Sequence, residues 1–203
     1  MTIKLHKGDL PANVKFSGSV AIDTETMGLI PHRDRLCLVQ LSGGDGNAHL
    51  VQLAQDEYDA PNLKKLLNDK SIVKIFHFAR FDVAMLKKYL GVETTPVYCT
   101  KIASKLVRTY TDRHGLKDLC REILGKDISK QQQSSDWGAD KLSKAQREYA
   151  ASDVLFLHEL MARLNEMLER EGRVDLAQAS FDYLPTRAQL DLEGFSEMDI
   201  FHH

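Results

Sequence analysis

Asp23 and Glu25 stand one residue apart in Ser19–Leu29, SVAIDTETMGL, at the end of an apolar run. Side chains alternate between the faces of a strand, so both carboxylates project on one side, beside Ala21. Like charges that close oppose each other's ionisation. A hard divalent cation takes oxygen ligands and reverses that cost. A D-x-E pair alone also suits a solvated strand end, but other acids occupy comparable places. Asp82, in HFARFDVAMLKKYL, shares a helical face with Met85 and Leu86. Taken singly it reads as a first-turn acid favoured by the helix dipole. Asp153 lies four residues before Leu157 on an apolar stripe, and Tyr149 lies four residues before Asp153. A mid-helix acid on such a stripe is costly unless paired or metal-bound. A hydrogen bond to Tyr149, or an ion pair with Arg147 or a remote lysine, would satisfy it in isolation. Three acidic sites on apolar faces of one chain point instead to divalent-metal chemistry.

Strands and helices must bring these residues together. Val20–Asp23, Leu36–Leu41 and Ala48–Leu53 predict strands, with SGGDGN as the turn between the last two. Pro61–Asn68 predicts a short helix, Ser71–Phe78 a buried strand, and Ala79–Leu90 a helix closed by Gly91. TPVYCT predicts a brief strand, KIASKLV the start of a helix, and Gly115–Gly125 a short amphipathic helix. A polar connection holding the only tryptophan, Trp137, leads to a Ser143–Gln146 capping box. From there one long helix is expected, its stripe running through Val154, Leu157, Leu160, Leu164 and Leu168 to Gly172. Beyond Arg173 the chain is mixed and acidic. Its scattered Phe181, Tyr183, Leu184 and Phe195 suggest an extension, 173–203, docked on the 1–172 domain or on a neighbouring subunit. Strands first, then alternation, give an α/β class with a five-stranded mixed sheet flanked by helices.

Composition narrows the function classes. The 203 residues suit one domain with a small appendage, and 43% hydrophobic with 28% charged content is ordinary for a globular protein. No apolar run approaches the roughly 20 residues that span a bilayer. The N-terminal stretch carries no apolar signal-peptide core. Three cysteines without a C-x-x-C pair point to a reducing, cytoplasmic setting. A net charge of −2 gives no broad positive field for a long nucleic acid. Any nucleic-acid substrate is therefore expected to be short, or gripped by metal ions and a few local cations.

Asp23-x-Glu25, then Asp82, then Tyr149-x-x-x-Asp153 resembles the signature of the DEDDy 3′→5′ exonucleases. HFARFDVAML, CTKIASKLV and GLKDLCREILGKDISKQQQSSDWGADKLSKAQREYAASDVLFL look, in order, like segments of the RNase D group, over about Val20–Leu168. The opening IKLHKGDLP and AIDTETMGLIPHRDRLCLVQLS look most like the nano-RNase C branch of small oligoribonuclease-like enzymes. The resemblance implies an RNase H-like (DnaQ-like exonuclease) fold and two divalent cations, Mg²⁺ or Mn²⁺. It implies hydrolysis of short RNA from the 3′ end, with preference for dinucleotides such as pGpG, to nucleoside 5′-monophosphates. It further implies a homo-oligomer, a ring-shaped octamer. In this likeness Asp23, Glu25 and Asp153 hold the ion that activates the attacking water. Asp23 bridges to the second ion, and Asp82 holds that one directly or through water. Tyr149 orients the water, because a phenol with a pKa near 10 is a poor base at neutral pH. One departure is Phe78, where the broader exonuclease pattern often has Asn.

Leu29 follows Gly28 at the spacing where relatives that cut dinucleotides wedge a leucine between the two bases; a loop leucine tucked into the core is the alternative. Thr24, His77 and Phe81, which flank the acids in sequence, are the other candidate substrate contacts, although His77 reads equally as a core histidine. Lys101, Arg108, Arg113, His114, Lys117 and Lys130 are candidate caps for a 5′ phosphate. Two competing readings are a 3′→5′ DNA exonuclease and a catalytically silent nucleic-acid-binding domain. The second has no reason to keep acids on apolar stripes.

Overall fold

Val39, Leu41 and Val51 face one hydrophobic cluster, while Leu38 and Leu50 face another, so the central strands are covered on both sides. The computed structural model describes residues 2–129 and 131–203, and Lys130 lies outside them. In chain order the elements are β1 (Ile3–Lys7), β2 (Ser19–Thr26), β3 (Leu36–Ser42), β4 (Ala48–Gln52), α1 (Pro61–Asn68), β5 (Val73–Phe76) and α2 (Ala79–Leu90). Then come β6 (Val97–Cys99), α3 (Thr100–Val107), α4 (Leu116–Leu124), α5 (Lys144–Leu155), α6 (Leu157–Arg170) and α7 (Val174–Leu192). The sheet order is β1-β4-β3-β2-β5-β6. The β3 pairings with β2 and β4 are antiparallel; the β1–β4, β2–β5 and β5–β6 pairings are parallel.

The sheet therefore has six strands rather than the expected five. The addition is β1, which runs beside β4 with Ile3 opposite Ala48 and Lys7 opposite Gln52. Its sequence, IKLHK, alternates apolar with charged residues in the manner of an edge strand, and the lysines mask the short apolar signal. Strand β2 also runs past its expected end, so Asp23 and Glu25 both lie within it.

The expected long helix is two. It breaks at Phe156, whose φ of −106° and ψ of −3° interrupt the run between α5 and α6. The two segments serve different partners. Helix α5 lies against β1 to β4, whereas α6 packs on α3, α4, α7 and β5. A straight rod could not lie on both. Beyond Arg173 the supposed tail is a 19-residue helix, α7, with Pro185 inside it. Its Ala177, Phe181, Leu184 and Ala188 are buried at spacings of three and four, the period of one helical face. This face meets α2 and β6, with the Phe181 and Tyr98 ring centroids 4.7 Å apart. Arg80 of α2 reaches Asp191 of α7 through two hydrogen bonds of 2.6 and 2.7 Å. Among the described residues, no helix is long and apolar enough to cross a membrane.

Candidate active site

The site begins where two parallel strands part. Strand β2 pairs with β5 only through Ser19–Ala21, opposite Val73–Ile75. Beyond Ala21 the β2 edge is released, and a crevice opens outside the carboxyl ends of the strands, a usual place for ligands in such sheets. Asp23 and Glu25 lie on this released part. On the other side β2 keeps its antiparallel pairing with β3, which sets Gln40 opposite Asp23. The Gln40 side chain is buried and donates from Nε2 to Asp23 Oδ2 at 2.9 Å and Glu25 Oε1 at 3.4 Å. It fixes the two carboxylates from below. Sequence reading missed Gln40, although a lone amide inside LCLVQL was the available signal.

Helix α5 lies over the same face and brings Tyr149 and Asp153. Trp137 is buried beneath it, with its ring centroid 6.0 Å from that of Tyr149. The capping box forms as expected: Ser143 accepts from the Gln146 N–H, and the Gln146 side chain accepts from the Ser143 N–H. Asp153 falls in the last turn of α5 rather than mid-helix. There the negative end of the helix dipole gives a carboxylate no help. Single carboxylate oxygens of Asp23, Glu25 and Asp153 all lie within 4.8 Å of one another.

Asp82 enters from the first turn of α2, just past the end of β5, and is 3% exposed. Its Oδ1 accepts a 2.6 Å hydrogen bond from Thr24 Oγ1. The hydroxyl of Thr24, a candidate substrate contact, is thus committed to orienting Asp82. His77 Nδ1 lies 2.9 Å from Thr100 Oγ1, which donates its proton to the Phe76 carbonyl. Thr100 can then only accept from His77, so His77 carries its proton on Nδ1. His77 is thus pinned to the scaffold by Thr100 while it also lines the cleft.

The cleft has a volume of about 610 Å³ and is lined by all four acids, Tyr149, Thr24, His77, Phe81 and Leu29. Leu29 is 81% exposed, so the core-leucine alternative is excluded. Gly28 permits this loop: a Cβ there would lie 2.2 Å from Asp34 Oδ2, whose carboxylate receives the Ile30 N–H. Lys101 and Lys117 line the cleft. Arg108 is 1% exposed and bonded to Glu122 and the Arg113 carbonyl, which removes it as a phosphate cap. His114 bonds to Ser104, and Arg113 does not line the cleft. Lys130 lies outside the described residues.

The electrostatics follow from this crowding. Burial first, then the charges of Asp82, Asp153 and Glu25, push Asp23 well above the carboxylate range. Glu25 is raised to about 9 by burial and by the Asp153 and Asp82 charges. Asp82 is raised to about 7, chiefly by burial, against the lowering effect of its Thr24 hydrogen bonds. The Tyr149 phenol is pushed up by burial, by the nearby acids and by its hydrogen bond with Asp153. Carboxylates so placed need either protons or a cation. An all-oxygen donor set of this charge fits a hard divalent ion such as Mg²⁺ or Mn²⁺.

The chain matches the 3′-5′ exonuclease family over residues 8–169. It belongs to that family. As an exonuclease it is 38% identical over 156 residues to the ribonuclease D of Gluconacetobacter diazotrophicus, covering 77% of this chain and 39% of that protein. The structure of Brucella melitensis NrnC with bound Mg²⁺ covers 100% of both chains at 59% identity, with a TM-score of 0.96. The structure of Brucella melitensis NrnC bound to pGG covers 100% of this chain and 99% of that one at 60% identity, with a TM-score of 0.97. The exonuclease fold is DnaQ-like, with a six-stranded sheet.

Proposed function

We propose that this exonuclease is a divalent-metal-dependent 3′→5′ exoribonuclease of very short RNA, with dinucleotides such as pGpG as preferred substrates and nucleoside 5′-monophosphates as products. The observation that carries it is the convergence of Asp23, Glu25, Asp82, Asp153 and Tyr149 on one cleft of about 610 Å³, a volume within the range of small-ligand sites. Likeness to NrnC bound to pGG supports the short substrate.

Asp23, Glu25 and Asp153 would hold one cation, and Asp82 together with Asp23 the other. Two bound divalent cations supply water of lowered pKa and charge neutralisation at phosphorus. The chain's own residues do the rest. Gln40 keeps Asp23 and Glu25 at a fixed separation. Thr24 holds Asp82 in one orientation. Tyr149, raised above its ordinary pKa, stays protonated at neutral pH and positions the attacking water as a hydrogen-bonding group. Leu29, projecting from the β2–β3 loop, would separate the two bases. Lys101 and Lys117 would meet phosphate oxygens.

Exposed Phe195, Met198, Ile200 and Phe201 support assembly of the 173–203 extension with neighbouring copies into a ring-shaped octamer; a monomeric mass by light scattering would reject the ring. The three free, buried cysteines support a cytoplasmic setting. The deciding assay incubates the protein, and Asp153→Ala, with 5′-labelled RNAs of two to seven nucleotides and with single- and double-stranded DNA, in Mg²⁺ or Mn²⁺. Fast loss of the dinucleotide is expected, with slower loss of longer RNAs and at least about 10³-fold slower turnover by Asp153→Ala. Equal rates at all lengths would reject the dinucleotide preference, and faster loss of DNA would replace RNA as the substrate.

A further inference from the structure

Phe78 stands at the cleft without a part in the chemistry above. It is the residue before α2, with φ 71° and ψ 45°, in the left-handed region. A bulky L-residue enters that region only at a steric cost. Asp56 is the other non-glycine residue with positive φ among the described residues, and aspartate tolerates it better. Burial of the ring does not repay the strain, because Phe78 is 45% exposed. The turn is instead held from its surroundings. Thr100 Oγ1 donates to the Phe76 carbonyl at 3.1 Å, His77 bonds to the same hydroxyl, and the Phe81 N–H returns to the Phe78 carbonyl at 3.2 Å.

The ring lines the cleft with His77 and Asp82, and the Lys101 ammonium sits 4.3 Å from its centroid. A cation at that distance steadies the ring through its π-face. An exposed aromatic ring with an ammonium beside it is the combination that grips single-stranded nucleic acid: the ring stacks a base and the cation meets the backbone. A strained backbone that aims an exposed side chain into a site is a mark of function rather than of packing.

We propose that Phe78 is a substrate-binding residue that stacks one base of the short RNA, its left-handed backbone serving to aim the ring and Lys101 drawing the phosphate of the same nucleotide. The proposal rests on the short-RNA reading above. Stacking is blind to hydrogen-bonding pattern, so the site accepts any base at that position and favours purines.

The test compares wild type with Phe78→Gly, Phe78→Leu and Phe78→Trp on an RNA dinucleotide in Mg²⁺, measuring kcat, KM and Tm. Glycine adopts φ 71° without cost, so Phe78→Gly should keep or raise Tm while KM rises about 10- to 100-fold. Phe78→Leu should raise KM similarly with Tm near wild type, and Phe78→Trp should restore wild-type KM. Binding of a dinucleotide carrying 2-aminopurine should quench its fluorescence in wild type and less in Phe78→Leu. Unchanged KM in Phe78→Leu and Phe78→Gly would overturn the proposal, as would a KM that follows Tm across the series. Wild type that is folded yet inactive on every RNA would instead overturn the functional reading beneath it.

Discussion

Leu29 and Gln40 illustrate how single residues acquire meaning from where they sit. Leu29 is an apolar side chain left almost wholly in solvent at the mouth of an acidic cleft. An exposed leucine does little for folding, so Leu29→Ala should leave stability within about 0.5 kcal/mol of wild type. Between two bases the same side chain would be buried, and its removal should raise KM for a dinucleotide about 10-fold or more. Steady-state kinetics beside a thermal melt check both halves; a fall in Tm with unchanged KM would reject the wedge. Gln40 has the converse logic. It is buried and polar, and its amide nitrogen donates to Asp23 and Glu25 while its Oε1 has no partner among the described residues, so its place there serves the two carboxylates.

At the scale of elements, the break at Phe156 and the docking of α7 position the site without touching it. The break lets α5 lie on the sheet with Tyr149 and Asp153 over the acids, while α6 turns away to build the core with α3, α4 and α7. Helix α7 in turn braces α2, which carries Asp82 and begins just after Phe78, through Arg80 and Asp191, and it holds β6 through the Phe181–Tyr98 contact. Phe181 is buried, so Phe181→Ala should cost about 3–5 kcal/mol of stability. Denaturant unfolding measures that loss, and kcat on short RNA should stay near wild type well below the lowered Tm. Normal stability in this variant would mean that α7 does not brace the domain.

For the whole molecule, the acidic cluster makes stability depend on pH and on cations. Without a cation, folded Glu25 holds its proton up to about pH 9 and Asp82 up to about pH 7. Unfolded carboxylates release theirs near pH 4. The folded state thus binds more protons between those limits, so this contribution to stability is fully present below about pH 4 and lost as pH rises through 7 towards 9. Tm of the chelator-treated protein should fall from about pH 5 to 9. Millimolar Mg²⁺ should reduce the fall by taking the place of the protons, and Glu25→Gln should flatten it. A Tm independent of pH and Mg²⁺ would mean that the acids are not coupled as their geometry requires. Much of this was legible beforehand. Asp82 and Asp153 could be singled out, because a carboxylate on an apolar helical face contradicts the period of its own element, Asp23 and Glu25 because they share one strand face, and Tyr149 because it stands one turn before Asp153. The capping box, the bounds of α1 and α2 and the αL glycine after α2 are equally local, set by backbone geometry within a few residues. Other features depend on chain segments far apart in sequence. The β1 edge came from pairing with β4, the burial of Arg108 from Glu122, the role of Gln40 from its register with Asp23, and the pinning of His77 from Thr100. The sequence by itself determined which residues are out of place; only the tertiary structure decided which of them meet, because convergence is set by long-range packing that no local period encodes.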